Sequence, residues 1–307
     1  MKRLDTLNSR FPVRKSKEEK KKFREYVEGS LKEQGIEART ETTKNGKNDN
    51  LVVGDVEGAR VVLTAHYDTP ATSIVPNLML PKNPILLILF HLFPIFGILA
   101  LSLTPAFILR SLTGIDALAP LAFIVIYYSL FYVLYFAFTN KNNFNDNTSG
   151  TATLLEIIDS LPEEKRKSVA FIFFDNEEKG KLGSKAYFRE HENFMRDKLV
   201  LNFDCVGNGD NVLLVAKKAA ENMAEYALLK EYIKTEGDYT VSYHSTKNSC
   251  GNSDHKSFPA GVCFMACSKT KSGILYTARI HTRRDTFAKN ENVAFLTKGI
   301  LNYIEKL

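Results

Sequence analysis

With 307 residues, a net charge of +6 and a pI near 8.9, the chain is long enough for one α/β domain beside an apolar insert, and only modestly basic. Its basic residues are spread without aromatic interleaving, which excludes nucleic acid as an expected partner. The four cysteines, Cys205, Cys250, Cys263 and Cys267, include no Cys-x-x-Cys pair. Cys263 and Cys267 fall on one strand-like run and would stand about 13 Å apart, so free thiols in a reducing compartment are expected.

In chain order, residues 1–30 are too charged to supply the apolar stretch of a signal peptide. Lys15 to Gln34 sets Phe23, Val27 and Leu31 at helical spacing among charges and stops at Gly35, the pattern of an amphipathic helix. Thr42 to Asn50 is a polar loop. Arg60 to Ala65 is an apolar, β-branched run that predicts a buried strand, and His66-Tyr67-Asp68 stands where it ends.

Residues Pro84–Phe138 are overwhelmingly apolar. Pro84 to about Thr104 and Ala119 to Phe138 each hold roughly 20 residues, enough at 1.5 Å per residue to cross a hydrocarbon core of about 30 Å. Neither contains Asp, Glu, Lys or Arg, and the linker Ser111–Asp116 is short with a turn glycine, Gly114. A transmembrane helical hairpin over 83–139 is therefore expected, inserted into a catalytic domain made of 1–82 and 140–307. Its alternative is a pair of buried helices or a dimerisation arm, but Pro94, Gly97 and Pro105 suit a membrane span better than a soluble helix. A hairpin returns the chain to the side it left, so His66 can meet later residues. Lysines and arginines at 2–3, 15–22, 82 and 141 outweigh Arg110 in the linker, which predicts an integral membrane protein with its catalytic domain on the cytoplasmic side. His91 and Tyr132 would lie at similar depth, and Tyr128, Tyr132 and Tyr135 share a helical face. The expectation is a hydrogen bond from His91 to a tyrosine of the second span, with an interfacial aromatic belt as the alternative.

Beyond the hairpin, Asp146 lies in the polar turn Asn145–Gly150, followed by a helix over Thr151–Leu161. A strand over Ser168–Phe174 releases Asp175-Asn176-Glu177-Glu178, and a helix follows over Lys181–Asn193. A third strand, Lys198–Phe203, delivers Asp204. Helices over Ala219–Thr235 and Asn292–Leu307 flank a strand at Gly261–Cys267, and His281 falls between the last strand and the last helix. The fold class is α/β, a mixed and mostly parallel central sheet flanked by helices. In such sheets ligands bind beyond the carboxyl ends of the strands, where three of these candidates emerge.

His66, Asp146, Glu178, Asp204 and His281 supply what two divalent ions about 3.5–4 Å apart require: a bridging carboxylate, and on each ion a histidine and a further carboxylate. Three carboxylates and a bridging hydroxide would balance the charge of two such ions, allowing burial at small desolvation cost. Asp68, two residues from His66 on an extended segment, is placed to accept a hydrogen bond from the imidazole. Of Glu177 and Glu178, one would bind metal and the other take a proton from the attacking water; the residues alone leave open which.

These segments, together with Ala65–Thr69, Phe174–Gly180, Gly183-Ser184, Asn202–Asp204, Ser253–His255 and Ile280–Thr286, resemble the co-catalytic di-zinc peptidases. That family includes bacterial leucyl aminopeptidases, aminopeptidase Y, the glutamate carboxypeptidase II group, glutaminyl cyclases and the transferrin receptor ectodomain. The resemblance covers most of residues 50–300. It implies that His66 and Asp204 hold one zinc, Glu178 and His281 the other, and Asp146 bridges them. Glu177 would be the general base and Asp68 the orienting carboxylate behind His66. Asp285 either orients His281 or is a turn aspartate, Asp254 and His255 lie near the substrate, and Tyr243 is a candidate oxyanion donor. Two Zn²⁺ are the expected cofactors, although manganese and cobalt suit the same ligands.

The expected activity is that of a membrane-anchored zinc-dependent exopeptidase, most simply an aminopeptidase that hydrolyses short peptides through a metal-bridged hydroxide. Its partners would be a peptide and, through residues 84–138, membrane lipid, with homodimerisation left open. The alternatives are another metal-assisted amide hydrolase or acyl-transfer enzyme of the same fold, or an inactive binding protein. The full ligand set argues against a single-zinc cyclase, and the presence of the base argues against inactivity.

Overall fold

Apolar residues alternating on short runs demand burial on two faces, and the computed structural model, which describes residues 2–249 and 251–307, shows how they obtain it. The strands are β1 (Ala38–Thr42), β2 (Asp49–Val53), β3 (Val61–His66), β4 (Ala71–Thr72), β5 (Leu78–Met79), β6 (Phe138–Thr139), β7 (Val169–Phe174), β8 (Leu199–Phe203), β9 (Asn211–Ala216), β10 (Thr240–Ser245), β11 (Gly261–Lys269) and β12 (Leu275–Ala278). Ten of them form one mixed sheet, in which β7, β3, β8 and β11 are consecutive parallel neighbours. Antiparallel strands extend it on both sides: β2 and β1 beyond β7, and β9, β12 and β5 beyond β11. The α/β class with a parallel centre is as the sequence predicts. The wing strands β9 and β10, which pair in parallel with each other, are additions to it.

Every residue of β3, β7 and β8 is buried, as strands covered on both faces must be. Leu63, Phe171, Phe173, Leu201 and Phe203 point into one core, shared with helices α1 (Arg3–Arg10), α2 (Lys17–Lys32), α5 (Gly150–Ser160), α9 (Ala224–Tyr232) and α10 (Asn290–Ile304). Their neighbours Val62, Ala170, Ile172, Phe174 and Val200 point into the other, covered by α6 (Leu182–Glu190), α7 (Glu192–Met195) and Phe258. A short α8 (Lys218–Glu221) precedes α9. The amphipathic helix predicted from Lys15 to Gln34 begins at a capping box: Ser16 accepts from the Glu19 amide, and Glu19 accepts from the Ser16 amide.

The apolar segment forms α3 (Pro84–Thr113) and α4 (Leu118–Tyr135), two helices long and apolar enough to cross a membrane. They pack on each other and expose nearly everything else; Ile98, Ser102 and Ala106 are the buried residues of α3, and α4 has none. The first helix runs past the expected end near Thr104, through Pro105, and stops where Gly114 takes a left-handed φ of 68° with its amide on the Arg110 carbonyl. His91 makes no hydrogen bond to a tyrosine among the described residues. Its ring instead sits edge-on to Phe90, 5.4 Å away, because Tyr128 and Tyr132 face outward, 66% and 59% exposed. At the base of the hairpin, β6 pairs with β4, directly after the His66–Asp68 segment.

Candidate metal centre

Parallel β3, β7 and β8 end together, so His66, the 175–178 loop and Asp204 emerge at one edge of the sheet. Asp146 reaches the same place from the 144–149 turn, which hydrogen bonds stitch to the end of β8. Asn147 donates to the Phe203 carbonyl at 2.9 Å and accepts from the Cys205 amide, Ser149 accepts from the Val206 amide, and Asn145 accepts from the Gly207 amide. Gly150 permits this approach, since a Cβ there would lie 2.3 Å from the Phe203 carbonyl oxygen.

The ligand candidates converge. One oxygen of Asp146 lies 3.4 Å from Nε2 of His66, whose Nε2 is also 3.9 Å from Asp204; the other lies 2.9 Å from Nε2 of His281, which is 3.4 Å from Glu178. His66, Asp146 and Asp204 thus form one cluster with metal-ligand spacing, and Asp146, Glu178 and His281 form a second. Glu177 groups with His66 and Glu178 and faces a cleft of about 300 Å³ that Asp146, Asp204 and His281 also line.

Two buried aspartates set the backbone of this site. Nδ1 of His66 is closer to the Asp68 carbonyl, at 3.2 Å, than to its carboxylate, at 3.5 Å. The carboxylate of Asp68 instead accepts the amides of Glu177 and Glu178, at 3.0 and 3.2 Å. Asp285 plays the same part opposite, accepting the amides of Asn145 and Asp146, each at 3.0 Å. It orients Asp146 rather than His281.

The remaining candidates fall elsewhere. Asp254 and His255 are fully buried in a 3₁₀ turn, and among the described residues neither Asp254 oxygen nor either His255 nitrogen has a hydrogen-bond partner. Burial pushes the Asp254 carboxyl up to about 7. They do not line the cleft, whereas Asn252 and Ser253 do, because the His255 carbonyl is drawn down against Gly261, where a Cβ would approach within 2.0 Å. Tyr243 stands on the outer wing, its hydroxyl donating to the Ile233 carbonyl and its ring beside Tyr226, so it has no place as an oxyanion donor. Cys205, Cys263 and Cys267 are buried free thiols, as expected; Cys250 lies outside the described residues.

Several residues that support the site carry no sequence signal of their role. Arg14 is fully buried behind it, bonding the Tyr67 carbonyl at 2.5 Å and the Thr148 hydroxyl at 3.0 Å. Burial lowers its pKa to about 10, against the charges of Asp68 and Asp146, so it stays cationic. Lys20 of α2 pairs with Asp175 at 2.6 Å and bonds Asn176 at 2.9 Å, fixing the loop that carries both glutamates. Asn176, Cys205 and His281 adopt left-handed φ of 55°, 56° and 56°, a conformation costing about 1–2 kcal/mol for non-glycine residues. Around functional groups, surrounding bonds hold such backbone in place.

The donor set fits divalent cations. Burial first, then the neighbouring carboxylates, raise Glu178 to about 8 and Glu177 well above the usual range, and Glu178 Oε1 is buried without a partner among the described residues. Against burial, which lowers it, contacts with Asp146, Asp204 and Asp68 hold His66 well above its ordinary value. Burial likewise opposes the charges of Glu178 and Asp146 that raise His281 to about 10. Burial would raise Asp146, yet the two rings hold it low. The two imidazoles and the carboxylates around them are the nitrogen and oxygen donors that a divalent cation takes, and a cation bound there would supply positive charge among the carboxylates and favour neutral rings.

A comparison with proteins of curated function finds no match. Among solved structures, the chain superposes on a Zn-dependent exopeptidase from Parabacteroides distasonis with a TM-score of 0.61 at 16% identity, covering 98% of this chain and 94% of that one. It superposes on the LapA aminopeptidase of Legionella pneumophila (TM-score 0.58, 15% identity, 99% and 68% covered) and on the glutaminyl cyclase of Porphyromonas gingivalis (0.57, 15%, 99% and 95%). At these identities the shared property is the fold. Residues 137–301 match peptidase family M28. That span covers more than half of the chain and includes Asp146, Glu178, Asp204 and His281; the chain belongs to peptidase family M28, as a metallopeptidase.

Proposed function

We propose that the protein is a membrane-anchored exopeptidase holding two zinc ions, an aminopeptidase acting on the free end of short peptides. The observation that carries this is the split of Asp146, one oxygen toward His66 and Asp204, the other toward Glu178 and His281. In this arrangement His66 and Asp204 hold one ion, Glu178 and His281 the second, and Asp146 serves both. Ions held there would supply polarisation of the scissile carbonyl and a lowered pKa for the attacking water.

Glu177 has its amide fixed by Asp68 and its side chain in the cleft, so it is placed to take the proton from that water and pass it to the leaving amine. Glu178 has the same backbone support but turns toward His281, which supports a metal-binding role for it. The zinc-dependent exopeptidase and the aminopeptidase among the similar structures support peptide as substrate and zinc as metal.

Residues 83–139 act as a lipid-embedded hairpin inserted between the two parts of the catalytic domain, 1–82 and 140–307. The lysines flanking its base support a cytoplasmic side for that domain. Two measurements test the assignment. Glu177→Gln lowers kcat by about 10²–10⁴-fold and leaves two zinc ions per chain in metal analysis, whereas Glu178→Gln loses metal. Equal zinc loss in the two variants, or hydrolysis of N-blocked but not free-amine peptides, refutes the roles or the aminopeptidase activity respectively.

A further inference from the structure

A second cleft, of about 550 Å³, begins at Asp68, Glu178 and His281 and ends at His91, Tyr135 and Phe136. Its two ends belong to different parts of the molecule. His91 is seven residues into α3, about 10 Å along the helix from Pro84, and the residues of α3 leading to it, including Ile85, Leu86, Ile88 and Leu89, are exposed and apolar. Tyr135 and Phe136 close the other helix at the same end. The cleft wall therefore runs from a charged, metal-ligating pole to a pole set among side chains that only hydrocarbon or another apolar chain would cover.

The connection between the poles is a hydrogen-bonded strap. The Ser73 amide donates to the carbonyl of His281 at 2.6 Å, and the next amide, Ile74, donates to the carbonyl of Leu134 in α4 at 2.8 Å. Ala71 and Thr72 pair with Thr139 and Phe138. Beside the strap, Ile74, Phe136 and Phe138 are 53%, 52% and 40% exposed, an apolar collar beyond the ends of the two helices, where the hairpin joins the catalytic part. A hairpin serving only as an anchor needs no such collar and no cleft reaching back to a metal ligand.

We propose that the substrate is a peptide already embedded in the bilayer: its free end enters the metal centre while its apolar stretch lies against His91, Tyr135 and Phe136. The inference rests on the membrane-anchored peptidase proposed above. A peptide is favoured over a lipid because the cleft is continuous with the groups that would hydrolyse an amide, so the occupant has to present one there. An apolar chain resting at the membrane end keeps its hydrocarbon contacts while only its terminal residues move into the polar pole, which limits the cost of delivering it.

The test uses the full chain with zinc in phosphatidylcholine vesicles and three probes sharing the amino-terminal sequence Leu-Ala-Gly-Ser. One continues directly into a Leu/Ala membrane helix of about 20 residues, the second reaches the same helix through a long Gly/Ser linker, and the third ends in a soluble polar tail. Release of leucine is followed. The directly joined probe is expected to be cleaved with at least tenfold higher kcat/KM than the linker probe, which shares its surface concentration but need not touch the collar. His91→Trp, which narrows the cleft, is expected to abolish that ratio mainly through KM.

In the Glu177→Gln protein, a photoreactive leucine just inside the apolar stretch is expected to cross-link to residues 84–91 or 132–136, a readout independent of whether the His91 variant folds. Equal cleavage of the two tethered probes, with cross-links only elsewhere, overturns the inference and leaves the peptidase assignment standing if the soluble probe is hydrolysed. Cleavage of none of the three removes both. Release of the protein from vesicles by alkaline carbonate removes the membrane anchoring on which the inference rests.

Discussion

The sheet edge that gathers the candidate metal ligands and the inserted hairpin are built on opposite rules. At the edge, specific polar bonds set the backbone, and the identity of one residue decides the geometry of the next: Asp68 holds two glutamate amides, Asp285 two amides around Asp146, and Asn147 three groups between them. In the hairpin the outward side chains touch little within the chain, so composition matters and individual identity hardly does. One region is specified by particular polar bonds, the other by apolar composition.

That contrast is tested most severely where charge is buried. Lys20 and Asp175 are 5% and 3% exposed at the side chain, so removing one partner strands the other. Lys20→Met is expected to cost about 3–5 kcal/mol, seen as a lowered denaturant midpoint of the detergent-solubilised protein. A change within 1 kcal/mol would show that the loop carrying the glutamates is held without that pair.

The next effect separates the regions directly, because each carries an exposed phenylalanine. Phe96 lies near the middle of α3 and is 61% exposed; Phe287, in the catalytic part, is 50% exposed. Phe96→Arg is expected to cost about 2.5–3.5 kcal/mol of membrane insertion at the centre of a span, read as loss of protein from the membrane fraction. Phe287→Arg, at an ordinary surface, is expected to stay within about 0.5 kcal/mol. Equal behaviour of the two would mean that α3 does not meet lipid.

Much of this contrast was visible in the residues before any coordinates. The ligands stand at the ends of apolar, β-branched runs, and such runs make strands whatever their neighbours; the hairpin declares itself through unbroken apolar length. Partnerships that depend on loop paths were less visible. Asp68 does lie beside the His66 ring, at 3.5 Å, as residues two apart on a strand share a direction, but its bonds to the Glu177 and Glu178 amides, which arrive past the left-handed turn at Asn176, leave no mark in the sequence. Arg14 sits in a charged stretch that resembles a solvated surface, yet it is buried behind the site. Tyr243 and His91 failed for a shared reason: chemistry at a suitable sequence position says nothing of which way a side chain faces on a wing strand or a lone helix pair.

Asp68 also gives the third prediction. Asp68→Asn keeps the shape but loses the charge that holds both glutamate amides, and its own amide hydrogens would face one of them. Groups behind a metal ligand typically account for 10–100-fold in metal affinity or activity, so zinc retention under mild chelation should fall by about that factor, with membrane association unchanged. Asp285→Asn should act alike through Asp146. A drop in Asp68→Asn with none in Asp285→Asn would break the symmetry between the two supports.

The smallest effect concerns a feature read from sequence in outline only. Helix α2 carries Lys20 to the glutamate loop, and its start is fixed by the reciprocal bonds between Ser16 and Glu19. Ser16→Ala removes one of these and should cost about 1 kcal/mol. Because Lys20 lies a full turn beyond the cap and is pinned by Asp175 and Asn176, turnover on a soluble peptide should be unaffected while the denaturant midpoint falls. If turnover falls with it, the cap positions the glutamate loop through α2, and polar coupling extends from the site through Lys20 to the N-terminus of that helix.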